Sequence, residues 1–238
     1  MSDTRTALTA IGQLPDGEID IAGAALQLAR VDAPDADWQA AGEHLSEIAR
    51  GAVAQAAEFE TPRLSMRAAA LRRLLVATHG YTGDADTYDD LANANLIHVI
   101  QRRRGLPVAL GVIWLHAAHA AGWDAHGLDF PGHFLIGLAG TKEQLVLDPF
   151  AGGNVLSAQH LRTLIKQVEG ESAELRPGML RPMTHRAVLL RLQNNIRSRH
   201  LQAGRLKDAL ACTDTMLAIA PDDERLQRDS TELRSRLN

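Results

Sequence analysis

The segment from Val108 to Ala121, closed by Gly122, carries apolar side chains on every face of a helix, interrupted only by His116 and His119. A surface helix shows an apolar stripe, and one that is apolar all round is buried. The segment is shorter than the roughly 20 residues needed to cross a bilayer. It is therefore expected to be the central helix of a domain, and the rest of the chain has to supply cover on all its sides. With 238 residues, 45% of them hydrophobic and 23% charged, there is enough chain for one substantial domain with an appendage, or two small ones.

The periodicity on either side supplies that cover. Residues 1–16 show no sustained pattern and are expected to form a flexible leader. Ile21, Ala24, Ala25, Leu28 and Ala29 mark a helix by their spacing. A second helix is predicted from about Asp35 to Ala57, and a third after Thr61-Pro62, with Thr as cap and Pro in the first turn, through Leu71, Leu74 and Leu75 to Gly80. A fourth is predicted from Thr87 through Leu91, Leu96, Val99 and Ile100 toward Arg103, broken by Gly105 and Pro107. After the central helix, 125–129, 133–138 and 144–147 are short runs bounded by turn residues, which reads as a small antiparallel sheet. Helices are predicted from Ser157 to Val168, Thr184 to Gln202, Leu206 to Ile219 and Asp222 to Leu237. The last three are spaced close to a 34-residue helix-turn-helix repeat, in too few copies to stand alone, and are expected to pack on the preceding domain.

A net charge of −4 argues against a dedicated nucleic-acid binder. The absence of a long apolar run argues against a membrane span, and the first residues lack the layout of a signal peptide. A single cysteine, Cys212, permits no internal disulfide. These features lead us to expect a cytoplasmic protein without cofactors.

The chemistry concentrates between Asn95 and Phe150. His133 in Pro131-Gly132-His133-Phe134 and Asp148 in Leu147-Asp148-Pro149-Phe150 follow an Arg-Gly turn and the central helix. That is the layout of an acyl-transfer site, in which a thiolate is activated by an imidazole and the imidazole is oriented by a carboxylate. Yet no Ser, Thr or Cys occurs from Tyr88 to Gly140. Cys212 falls on the packed face of a tail helix, where a small thiol behaves as an inert hydrophobe. His116 and His119, three apart on one helix face, have usable metal-ligand geometry but no accompanying cysteine. Arg102 and Arg103 suit a helix C-terminus, while Arg104, beside the Gly turn, suits a hydrogen bond across the site.

At these residues the chain resembles the bacterial SirB-type regulators, which have a transglutaminase-like core followed by tetratricopeptide-like helices. The resembling blocks are Arg102 to Leu110, Ala121-Gly122-Trp123, Leu128 to Leu135, Leu147 to Gly153, Leu192 to Asn195, Gly204 to Leu210 and Ala220 to Asp223. The stretch Asp89 to Asn95 departs from that pattern. In the wider superfamily the reactive cysteine opens the central helix about fifteen residues before a helix-ending glycine. Counted back from Gly122, that place is taken by Pro107. The resemblance assigns His133 and Asp148 to the superfamily's histidine and aspartate, which makes the pair a remnant without its nucleophile.

The expected fold is α+β and mostly helical: a transglutaminase-like (papain-like) core with a small antiparallel sheet over residues 17–180, and a tetratricopeptide-like tail over 181–238. The expected function is a non-catalytic regulatory or protein-interaction module whose partner is another protein. Arg104, Asn95, Trp114 and Phe150 are the candidate binding residues around the remnant pair. The alternatives are a cysteine-independent hydrolase or transferase using His133 and Asp148, and a histidine metal-binding protein.

Overall fold

The computed structural model describes residues 2–61, 63–141, 143–176 and 178–237. Among these the helices are α1 (Ser2–Gln13), α2 (Ile21–Asp32), α3 (Trp38–Ala56), α4 (Leu64–Arg72), α5 (Leu96–Arg102), α6 (Pro107–Ala120), α7 (Ala158–Glu169), α8 (His185–Gln202), α9 (Leu206–Ile219) and α10 (Glu224–Leu237). The strands are β1 (Thr82–Gly83), β2 (Arg104–Gly105), β3 (Ala125–Phe130), β4 (His133–Ala139), β5 (Gln144–Asp148), β6 (Asn154–Leu156) and β7 (Pro182–Met183). The fold is mostly helical with a small antiparallel sheet of order β6-β5-β4-β3-β7, beside a two-residue parallel bridge between β1 and β2.

Helix α6 is the core helix that its composition demands. Val108, Leu110, Val112, Ile113, Trp114 and Leu115 are all buried, each side chain of that size contributing about 1.5–3 kcal/mol by leaving water. Helices α2 and α3 pack on it from one side and strands β3 and β4 from the other. The approach to the sheet depends on Gly111, where a Cβ would lie 2.1 Å from the Phe134 ring. The sheet has two covered faces. Phe134, Ile136, Leu138 and Leu147 join the main core with α6, while Leu128, Phe130, Leu135 and Val146 form a second cluster with Leu161 and Ile165 of α7.

Three sequence expectations are corrected. Residues 2–13 form α1 instead of a flexible leader. Its Leu8 is buried and it packs against α9, with Gly12 pressed to the Ala218 carbonyl, so the cover that orders it comes from the other end of the chain. The Asp16 carboxylate then accepts the backbone N–H groups of His185 and Arg186, both at 2.9 Å, satisfying donors at the start of α8. The helix expected from Thr87 is instead a loop with a 3-10 turn at Leu91–Asn93, and α5 begins only at Leu96. Short polar side chains win locally here. Asp84 accepts from Thr87, Asp90 from the N–H of Ala92, and Asn95 from the N–H groups of Ile97 and His98, each offering the backbone an alternative to the helix. The cap of α4 is Arg63, without a side-chain bond, in place of Thr61. The expected role of Pro62 lies outside the described residues.

Helix α8 belongs to the core: Val188, Leu189 and Leu192 are buried with the main cluster against α2 and α6. Helices α9 and α10 follow in sequential contact with it.

Candidate functional site

The start of α6 is fixed by backbone stitching. Arg103 closes α5 in the left-handed region (φ 58°). Thr82 N–H donates to the Arg103 carbonyl, Asp84 N–H to Gly105 and Leu106 N–H to Asn93, so the Arg-Gly turn is held from both sides. Leu106 is the N-cap of α6 and Pro107 its first residue, where the missing N–H costs nothing and the fixed φ suits the helix. At a helix N-terminus a thiol would be acidified; a pyrrolidine ring offers no such chemistry.

His133 opens β4 and Asp148 ends β5. The ladder pairs Phe130 with His133 and Ile136 with Leu147. Alternation along the strands then places His133 on the face of Leu135, and Asp148 on the face of Val146. Both belong to the face covered by α7, away from α6. The two side chains share no hydrogen bond. The Asp148 carboxylate accepts the N–H groups of Phe150 (2.9 Å) and Ala151 (3.2 Å), and its carbonyl accepts from Gly153, which folds the following loop into an Asx turn. His133 has its carbonyl bound by Arg191 at 2.7 Å and its ring 6.4 Å from that of Phe130.

The candidate binding residues have structural surroundings. Asn95 is buried: its Oδ1 caps α5 and its Nδ2 donates to the Ala29 carbonyl at 2.9 Å. Trp114 is buried against Gly153, where a Cβ would meet the indole at 2.0 Å and φ is +73°. Phe150 covers Gly83 and meets Tyr88 edge-on, with ring centroids 5.8 Å apart. Arg104 is half exposed and reaches Asp86 at 3.7 Å. The arginines that tie this region together are its neighbours. Arg102 holds the buried Asp84 at 2.8 Å, and Arg103 donates to the Tyr81 hydroxyl at 2.9 Å and to the Ile100 carbonyl, as a cation at a helix end should. Hydrogen bonds from Thr87, with Arg102 beside them, hold the Asp84 carboxyl below the usual range.

Other nucleophile and metal candidates are occupied internally. Cys212 is buried, its Sγ 3.1 Å from Gln193 Oε1, and burial, aided by the neighbouring Asp32 charge, pushes its thiol up to about 12. His116 and His119 each direct Nε2 to a backbone carbonyl, of Leu45 at 2.9 Å and Ala125 at 2.8 Å, so neither offers that nitrogen to a metal.

A different cluster went unnoticed in the sequence. His44 and Glu47 on α3 and His79 after α4 converge, their donor atoms all within 4.8 Å of one another, although only the first two share a sequence motif. The i, i+3 spacing of His44 and Glu47 was a visible signal. The arrival of His79 depends on a π turn at Arg73–Thr78, which periodicity does not reveal.

The comparisons agree with this architecture. Residues 39–194 match the family model of the transglutaminase-like superfamily. A UPF0162 protein of Xylella fastidiosa (strain 9a5c) is 32% identical over 222 residues, covering 92% of this chain and 78% of that protein. Another from Vibrio cholerae is 34% identical over 161 residues, covering 67% of this chain and 59% of that one. No solved structure matches the chain significantly. The chain thus belongs to the transglutaminase-like superfamily and to the UPF0162 family.

Proposed function

We propose that the chain is a non-catalytic, SirB-type member of its superfamily, a cytoplasmic module that acts by binding another protein. The observation that carries this reading is Pro107 as the first residue of α6, the place where the resemblance puts the thiol. His133 and Asp148 are the remnant of the superfamily pair, and Asp148 now folds the Phe150 loop. The frame is kept for its shape, with α8 to α10 as tetratricopeptide-like helices packed beside it. A groove of about 610 Å³ runs between the β3–β4 turn (Asp129 to Gly132) and Arg191, Asn194 and Arg225 of these helices, and it is the surface we assign to the partner.

The test joins two readouts on the full chain. Amine incorporation and amide hydrolysis are measured for wild type, His133→Ala and Cys212→Ser, and crosslinked partners are compared between wild type and Arg225→Glu. We expect no turnover from any form, and a partner retained by wild type and lost by the variant. Turnover that disappears in His133→Ala or Cys212→Ser overturns the reading.

A further inference from the structure

We propose that His44, Glu47 and His79 form a binding site for a divalent metal ion of the zinc class, beside Arg103 of the Arg-Gly turn. His44 Nδ1 lies 3.0 Å from Glu47 Oε2, and the two imidazole rings stand nearly perpendicular with centroids 4.9 Å apart. Zinc bonds of about 2.0–2.2 Å in a tetrahedron put ligand atoms about 3.4 Å apart. The longest separation here, 4.8 Å, closes to that by small side-chain rotations. Two histidines and one glutamate leave a fourth position open, the arrangement of zinc sites that accept water or a substrate. His44 and Glu47 line a cleft of about 590 Å³ together with Glu43, Arg50, Gln101 and Arg103.

Two independent features separate this cluster from ordinary packed histidines. The first is backbone geometry. His79 is delivered by a π turn, a rare insertion that recurs at functional sites, and α3 accepts the turn closely because Gly51 leaves room for Leu74. The second is an incomplete hydrogen-bond set. The His44 side chain is only 11% exposed, its Nε2 is buried without a partner, and its Nδ1 faces both a carboxylate and, at 3.4 Å, the Arg103 guanidinium. One nitrogen cannot donate to Glu47 and accept from Arg103 at once. Arg103 is itself pinned by Tyr81 and Ile100, so it faces His44 from a fixed position while Glu47 supplies the balancing charge.

The test uses the full chain carrying no histidine tag, titrated with Zn²⁺ alone and with Co²⁺, whose visible bands report tetrahedral coordination. We expect one equivalent to bind, and His79→Gln and Glu47→Gln each to weaken binding by about 100-fold or more, beyond the 10–100-fold loss typical of outer-shell partners. His116→Gln should leave binding unchanged. His79 is partly exposed and Glu47 exposed, so circular dichroism of both variants should match wild type. No saturable binding at micromolar metal, binding that survives both variants, or loss with His116→Gln would each overturn the site.

Discussion

His133 and His44 both lie beside a carboxylate in the sequence pattern or in space, yet the two regions use their polar atoms in opposite ways. Around His133, the carboxylate of Asp148 is consumed by the N–H groups of its own loop, and what holds the region is shape: Phe134 on Gly111, Phe150 on Gly83, Trp114 on Gly153. Around His44, ligand atoms from α3 and the end of α4 converge, and Nδ1 meets a carboxylate and a guanidinium that one nitrogen cannot satisfy together. A frame can outlast its chemistry where glycines and aromatic rings fix it. Chemistry leaves its trace where polar groups stay unsatisfied, since an orphaned buried group costs about 1–3 kcal/mol unless something binds it.

The steepest way to break this comparison is through shape. Gly153→Ala forces an L residue into a left-handed backbone, at about 1–2 kcal/mol, and drives a Cβ into the Trp114 indole, at a further 1–3 kcal/mol or so. The expected loss is about 2–5 kcal/mol in urea unfolding, with the melting temperature falling by roughly 10 °C. A fall under about 1 kcal/mol would mean that the loop shifts freely and that shape does not hold the remnant site.

Next in size is the pair itself. Asp148→Ala removes an acceptor from two backbone donors and should cost about 1–2 kcal/mol. His133→Ala, at a partly exposed strand end, should stay within about 0.5 kcal/mol. Because the two side chains share no hydrogen bond, a double-mutant cycle should give a coupling below about 0.5 kcal/mol. A coupling well above that would show a pair still acting as a unit, and the contrast with the His44 cluster would collapse.

How much of this was legible in the sequence follows from the range of the forces involved. The core helix was, because burial of α6 is written into every one of its faces, and so were the hairpin strands and the helix starts at Ser157 and Thr184, which are local. α1 was not, because its order comes from α9 and Ala218, more than 200 residues away. The Thr87 to Asn95 stretch was misread because apolar spacing suggested a helix while Asp84, Asp90 and Asn95 were already offering the backbone other bonds. Pro107 at the head of α6 came from the resemblance, by counting back from Gly122, since the apolar pattern alone starts the helix at Val108. The faces of His133 and Asp148 were not, since strand register decides them. The His44 cluster escaped for a similar reason: a π turn shifts His79 out of the helical period that would have predicted its direction.

The smallest effect tests the other half of the comparison, in the metal-free chain. His44 and His79 have folded pKa values below their ordinary ones, so the unfolded chain binds more protons around pH 6.5 and below. Their contribution is complete above that range and is lost as the pH falls through it. Asp32 works in the opposite sense. Burial raises its carboxyl from 3.8 to about 6, so its protonated form favours the folded state below 3.8, an advantage lost as the pH rises through about 6. The two slopes oppose each other, and each is separated by a substitution. Asp32→Asn should leave stability rising with pH from about 4 to 7, while His79→Gln should flatten the histidine part of that rise by a fraction of a kcal/mol. Urea unfolding at a series of pH values reads both. Zn²⁺ added to wild type should steepen the rise, because protonated imidazoles release the ion as the pH drops. In His79→Gln the same addition should change nothing, and a zinc-dependent slope persisting there would place the ion somewhere other than the convergence of α3 and the π turn.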